Sequence, residues 1–259
     1  MICNVFRADR GNSGDWYSPP FRYFDFLGGE WIDIYGKDVP PRGSLVVIGG
    51  GGLISPQKGF KKIRWLLKHR TCVIWGAGEN WVIDVKAGYL PQADIPLPSY
   101  LKRARLLGLR DYTGIYNHVP CASCMHEAFN RDYEIERRIG FYCHKRIDLP
   151  ANGHEMTTND GNDLEEKLAF LGGCEYVVTN SYHGAYWAAL LGRRVACIPF
   201  GSKFYRLNAP VVFTKPDNLS DQAILGRDYP STDGYLEFCR RKNREFGRLV
   251  NELSINLKV

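Results

Sequence analysis

Apolar and polar positions along the 259-residue chain alternate between two periods. Short aliphatic runs, "ICNVF", "SLVVIGG", "TCVIWGAG" and "LLGLRD", read as strands buried on both faces, because they do not alternate with polar residues. Between them "QKGFKKIRWLLKHR" puts Phe60, Ile63, Leu66 and Leu67 at helical spacing with cations opposite. "PSYLKRARLLG" opens on Pro98-Ser99 and closes at Gly108, a helix entry and stop. The second half repeats the theme: "RRIGFYCHK", "EYVVTNS" and "RRVACIPF" as strands, "NDLEEKLAFLGG" and "YHGAYWAALLG" as helices. Asp163 with Glu166 suits a capping box, and Gly172-Gly173 a C-cap. From Asp233 a last helix places Leu236, Cys239, Phe246, Leu249, Val250 and Leu253 near one face.

Strands alternating with helices predict an α/β protein with parallel sheets. Residues 112–134 lack a period and carry Gly, Pro and Asn, so the linker is expected there. The expected domains are 1–118 and 119–259, two Rossmann-like α/β halves facing across a cleft, with the last helix in the second. Ligands of such sheets bind at the carboxyl ends of the strands.

Composition changes this picture little. No apolar run approaches the ~20 residues of a membrane span, and Arg7 and Asp9 interrupt the N-terminus too early for a signal peptide. A cytoplasmic protein is expected. The net charge of +6 is mild; "KHR" at 68–70, "KRAR" at 102–105 and "RRKNR" at 240–244 read as solvated helix faces, and no nucleic-acid motif accompanies them. Cys72, Cys143 and Cys197 sit in apolar runs as small hydrophobes. Cys121 and Cys124 have CxxC spacing with His118 and His126 nearby, but a zinc site usually needs a second pair and none follows, so ordinary loop thiols and no metal are expected.

Two glycine loops invite a nucleotide reading and fail its spacing. After Gly49 and Gly51 the third position is Ile54, after Gly50 and Gly52 it is Ser55, and after Gly76 and Gly78 it is Trp81. Gly50, Gly51 and Gly52 still leave two readings open: backbone N–H groups offered to a ligand, or close packing of strand, turn and helix. In "RGNSGDWYSPP", Asn12, Gly14 and Asp15 are turn-formers at the mouth of the cleft, where Asp15 also suits a cap for the segment starting at Trp16.

"EYVVTNSYHGAYWAALLG" is a buried strand handing over to a helix at Tyr182. The first turn of that helix offers free N–H groups and a positive dipole end to an anion. Thr179 and Ser181 add hydroxyls, Gly184 allows close approach, and His183 either works on a proton or packs in the turn.

In their order, "GNSGDW", "GGGGL", "WGAGEN", "LGLRD" and "VVTNSYHGAYWAALLGRRVACIPF" resemble the polysaccharide pyruvyltransferase family, over about four-fifths of the chain. The resemblance implies a fold similar to the two-domain GT-B glycosyltransferases. It implies transfer of an enolpyruvyl unit from phosphoenolpyruvate to two sugar hydroxyls as a cyclic ketal, with no cofactor. Arg110 corresponds to a family arginine suited to the anionic donor, and His183 to the family histidine, the candidate for proton work or for the departing phosphate. Asp15 is the candidate to orient or deprotonate the acceptor hydroxyl. Ser181 stands where some members have arginine, and Lys203, Arg206 and Arg193 are the candidates to replace that charge. The expected partners are phosphoenolpyruvate and a saccharide or lipid-linked saccharide, without nucleic acid or a membrane span and with peripheral contact to membrane machinery left open. A nucleotide-sugar glycosyltransferase and a non-catalytic carbohydrate- or anion-binding protein are the alternatives.

Overall fold

The structure, a computed structural model, describes residues 1–54, 58–80 and 97–258, without the side chains of 58–60. The side chain of Phe60, the Ser55 position and Trp81, all invoked above, lie outside the described residues.

The elements run in chain order as β1 (Ile2–Phe6), α1 (Ser13–Tyr17), β2 (Trp31–Asp33), β3 (Leu45–Gly49), α2 (Lys58–His69), β4 (Thr71–Ala77), β5 (Leu106–Leu109) and β6 (Asn117–His118). Then come β7 (Arg137–Cys143), β8 (Met156–Thr158), α3 (Leu164–Gly172), β9 (Cys174–Thr179), α4 (Tyr182–Leu190), β10 (Arg194–Cys197), β11 (Val212–Phe213), α5 (Asp221–Leu225) and α6 (Tyr235–Asn256). They make two wholly parallel sheets, β2-β1-β3-β4-β5-β6 and β11-β10-β9-β7-β8. The fold is thus mixed α/β with two parallel sheets and flanking helices. Both faces of each sheet are covered, so every residue of β3 is buried, as an unbroken apolar run requires.

Helix α2 covers one face of the first sheet with Ile63, Leu66 and Leu67. The other face is covered by α6, which follows the second sheet in the chain yet sets Phe246 and Val250 against Leu45, Val47, Val73 and Trp75. Asn243 of α6, fully buried, accepts from Trp75 Nε1 at 2.9 Å and donates to the carbonyls of Pro120 and Cys239 at 3.1 and 3.0 Å. Leu249, expected on the buried face, points outward. On the second sheet α4 is buried on every side, which explains its lack of a polar face. Asp163 caps α3 through the Glu166 N–H, while Glu166 turns to Lys167 and leaves the capping box half made.

Two sequence expectations give way. "PSYLKRARLLG" is not one helix but a short 3₁₀ turn, Ser99–Arg103, followed by β5, because its apolar Leu106 to Leu109 complete the first sheet. The segment 112–134 is not a solvated linker either: Val119, Cys121, Ala122, Cys124, Ala128 and Phe129 are buried. Its backbone polar groups are taken from above, with Tyr186 Oη donating to the Cys121 carbonyl, Arg240 to those of Cys124 and His126, and Trp187 Nε1 to Ser123 Oγ. All eight cysteines are buried free thiols, and among the described residues no cluster of His, Cys, Asp or Glu could hold a metal. Among the described residues no helix is long and apolar enough to cross a membrane.

Candidate functional site

A cavity of about 270 Å³ opens where the carboxyl ends of strands from both sheets meet. The first sheet contributes Asn12 and Asp15 after β1, Gly52 after β3, Asn80 after β4 and Arg110 after β5. The second contributes His144, Arg146 and Ile147 after β7, Asn159 after β8, Ser181, Tyr182 and His183 after β9, and Phe200 and Lys203 after β10. A neighbouring cavity of about 340 Å³ shares Asn12, Asp15, Gly52, Asn80, His144 and Arg146 and reaches out to Arg7, Tyr35 and Lys145.

The β1 loop is tied to the second sheet. Asn12, not Asp15, caps α1: its Oδ1 accepts from the N–H groups of Gly14 and Asp15 and from Asn159 Nδ2 at 3.2 Å. Asn12 Nδ2 donates to Asp15 Oδ2 at 3.1 Å, which aims the carboxylate. Gly14 lies flat against His183, where a Cβ would come within 2.1 Å of Nδ1. The other ring nitrogen, Nε2, faces Cys121 Sγ at 3.5 Å, and the ring packs on Trp187.

At the N-terminus of α4, Ser181 Oγ accepts from the Gly184 N–H at 3.3 Å, and Thr179 Oγ1 accepts from the Ser181 N–H at 2.9 Å. The N–H groups of Tyr182 and His183 have no acceptor among the described residues. Arg110 is only 2% exposed; its guanidinium stacks 3.9 Å above the Tyr182 ring, and the nearest carboxylate oxygen, Asp111 Oδ1, is 4.0 Å from Nε. Lys203 Nζ lies 4.4 Å from the Phe200 ring centre and has no carboxylate in ion-pair range among the described residues. One from each sheet, these two cations face the cavity, and among the described residues the one carboxylate within 4.0 Å of either is Asp111, beside Arg110.

Burial first, and then these two cations, set the protonation of the site. Burial, then Arg110, bring Lys203 down to about 8. Burial, then Arg110 and Lys203, hold His183 well below the ordinary histidine range, so the ring is neutral. His144 falls to about 4 through burial, then Lys203, Arg146 and Lys145. Burial raises the Asp15 carboxyl against the opposing pull of Arg110 and Lys203.

The structure therefore gathers Asn12, Asp15, Gly52, Arg110, Ser181, Tyr182, His183 and Lys203 around one cavity and leaves the other expected residues outside it. Gly50 and Gly51 hold φ of +70° and +77°, and a Cβ on Gly50 would meet the Ser18 backbone at 2.3 Å, so close packing explains them. Thr179 is fully buried and donates to the Tyr142 carbonyl at 2.5 Å; its hydroxyl is spent on the fold. Gly184 makes room for Tyr142 and Thr179 rather than for a ligand. Arg193 donates to the Tyr133 carbonyl and lines a separate groove. Arg206 pairs with the buried Glu79 at 2.9 Å. Of the three candidates for the charge missing at Ser181, Lys203 alone faces the cavity. Arg206→Ala is expected to leave anion affinity unchanged by calorimetry; a loss as large as that expected for Arg110 would return Arg206 to the site.

His144, Asn159 and Asn80 escaped the sequence reading although each stands just after a strand, as His183 does; Arg110 is reached through the family resemblance.

No protein-family model matches this sequence, and no curated protein matches it. Solved structures share the fold. One of them is an uncharacterized protein from Klebsiella pneumoniae subsp. pneumoniae NTUH-K2044, similar at a TM-score of 0.50 and 14% identity over 80% of this chain and 86% of that one. At that identity the likeness is one of fold, and it assigns no activity.

Proposed function

We propose that the chain is a cytoplasmic GT-B-like transferase that moves the enolpyruvyl unit of phosphoenolpyruvate onto two hydroxyls of a cell-surface saccharide or its lipid-linked precursor. The observation that carries the reading is a pair of buried cations, Lys203 and Arg110, the latter with only Asp111 at 4.0 Å, meeting the open N-terminus of α4 in one cavity with an acid–base pair, His183 and Asp15. A carboxylate and a phosphate on one small molecule would satisfy both cations and the free N–H groups. The halves divide near residue 118, with α6 returning from the second to cover the first.

In the proposed reaction a proton is added to the methylene carbon of the donor. An acceptor hydroxyl attacks the adjacent carbon and gives up its proton. The bond to phosphate breaks with its electron pair on the leaving oxygen, and the second hydroxyl closes the ketal and loses its proton. Of the two protons released, one offsets that taken up by carbon and the other ends on phosphate. The neutral resting state of His183 fits this order. Burial is the main cause of that neutrality and Arg110 and Lys203 add to it; a bound dianion offsets the share of the two cations and moves His183 toward the protonated form in which it serves as the acid. Asp15, aimed by Asn12, takes the hydroxyl proton.

Calorimetry tests the reading. Phosphoenolpyruvate is expected to bind and UDP- and GDP-sugars are not; nucleotide-sugar binding without phosphoenolpyruvate binding would make the protein a glycosyltransferase. Near pH 8, where the ligand phosphate is fully ionised, binding is expected to take up protons as Lys203, at about 8 in the empty site, and His183 rise. The uptake is read from the dependence of the heat on buffer ionisation, and His183→Ala is expected to diminish it. Proton release instead would sink the assigned role of His183.

A further inference from the structure

Six exposed cations gather on one side of the first sheet. Along its outer side α2 exposes Lys61, Arg64, Trp65 and Lys68 at i, i+3, i+4 and i+7, while Ile63, Leu66 and Leu67 face the sheet. The 3₁₀ turn Ser99–Arg103 packs beside α2 through Leu101, in the same apolar cluster, and exposes Lys102 and Arg103; Arg105 follows. The basic stretches at 68–70 and 102–105, remote in sequence, therefore share one side of the first sheet.

No acidic residue occurs in 58–78 or 97–110. Among the described residues none of the six cations has an ion pair. Some exposed arginines elsewhere on the molecule are paired, Arg131 with Glu165 and Arg194 with Glu175 at 2.7 Å and Arg244 with Glu237 at 2.9 Å, so the distinction of this face is six cations gathered on two adjoining segments that carry no carboxylate. At the centre of the unpaired face stands Trp65, 39% exposed, its ring against His69 and the Arg70 guanidinium.

We propose that this face docks on an anionic lipid bilayer. Exposed lysines and arginines without carboxylates are attracted by the negative surface potential, and an indole among them has the amphipathic character of interfacial aromatics. Single-stranded nucleic acid would instead call for a groove with several stacking platforms, whereas this face is a convex helix with one exposed tryptophan. The proposal does not depend on the donor assigned above and holds for any acceptor carried by a membrane.

The test is co-sedimentation of the full chain with phosphatidylcholine vesicles, with and without phosphatidylglycerol. Binding is expected only to the anionic vesicles and is expected to weaken as salt shortens the screening length. The triple variant Lys61→Gln, Arg64→Gln, Lys68→Gln is expected to bind about 100-fold more weakly, at about fivefold per cation removed. Arg241→Gln with Arg244→Gln, on the exposed side of α6, removes two cations elsewhere and is expected to bind as the parent does. Circular dichroism checks that both variants fold. No binding to anionic vesicles at low salt, equal losses in the two variants, or tighter binding to single-stranded RNA than to vesicles would each overturn the proposal.

Discussion

Arg110→Ala is expected to weaken phosphoenolpyruvate binding by about 30- to 5,000-fold, the range for removing one partner of a buried charge pair, while the protein stays folded. The two halves of this expectation have one cause. Arg110 is desolvated beneath the cavity and meets no carboxylate closer than 4.0 Å, so its charge costs the empty protein free energy that only an anion returns. Its loss should also free Lys203. Arg110 is the largest influence after burial on the depressed Lys203 ammonium, so the amine should titrate above its present value of about 8. Reactivity of Lys203 towards an acylating reagent against pH reads that shift. Arg110→Lys keeps the charge without the planar fork and should recover little of the affinity. Unchanged binding in Arg110→Ala would remove the cavity as the donor site.

Asn243→Ala is expected to destabilise the protein by about 3 kcal/mol, because it strands a buried donor and a buried acceptor at once. Trp75 Nε1 would lose its acceptor and the Pro120 carbonyl its donor, both in the core between α6 and the first sheet. For a chain of this size the melting temperature should fall by about 6–12 °C. Trp75→Phe removes the same donor, so the double variant should lose less than the sum of the singles. Additive losses in thermal melts would show that the two residues do not act as a pair.

Much of the architecture is legible in the chain because a parallel strand covered on both faces must be apolar throughout. β3, β4 and β9 announce themselves in that way, and α4 is readable as a fully buried helix for the same reason. His183 and Asp15 are legible as candidates because each follows a strand at its carboxyl end, and Arg110 through the family resemblance. What local sequence cannot carry is pairing across the molecule. Arg206 and Lys203 look alike as cations after β10, and only the position of Glu79, 127 residues earlier, separates them. Three consecutive glycines look alike too, yet Ser18 packs against Gly50 and leaves Gly52 to the cavity. The CxxC segment has the composition of a loop and lies in the core, because side chains from α4 and α6 satisfy its backbone. The neutrality of His183 likewise arises from its burial between the sheets and, after that, from two cations brought in by different sheets.

The return of α6 to the first sheet has a consequence for biosynthesis. The hydrogen bond from Trp75 to Asn243 spans 168 positions, and Phe246 and Val250 lie farther still. A nascent chain emerging from the ribosome at about 5–20 residues per second therefore carries the apolar side of its first sheet uncovered for roughly ten seconds or more. During that time Leu45, Val47, Val73 and Trp75 are a surface for chaperones or for other nascent chains. Residues 1–118 expressed alone would keep that surface open permanently, and their solubility would depend on supplying α6 in trans.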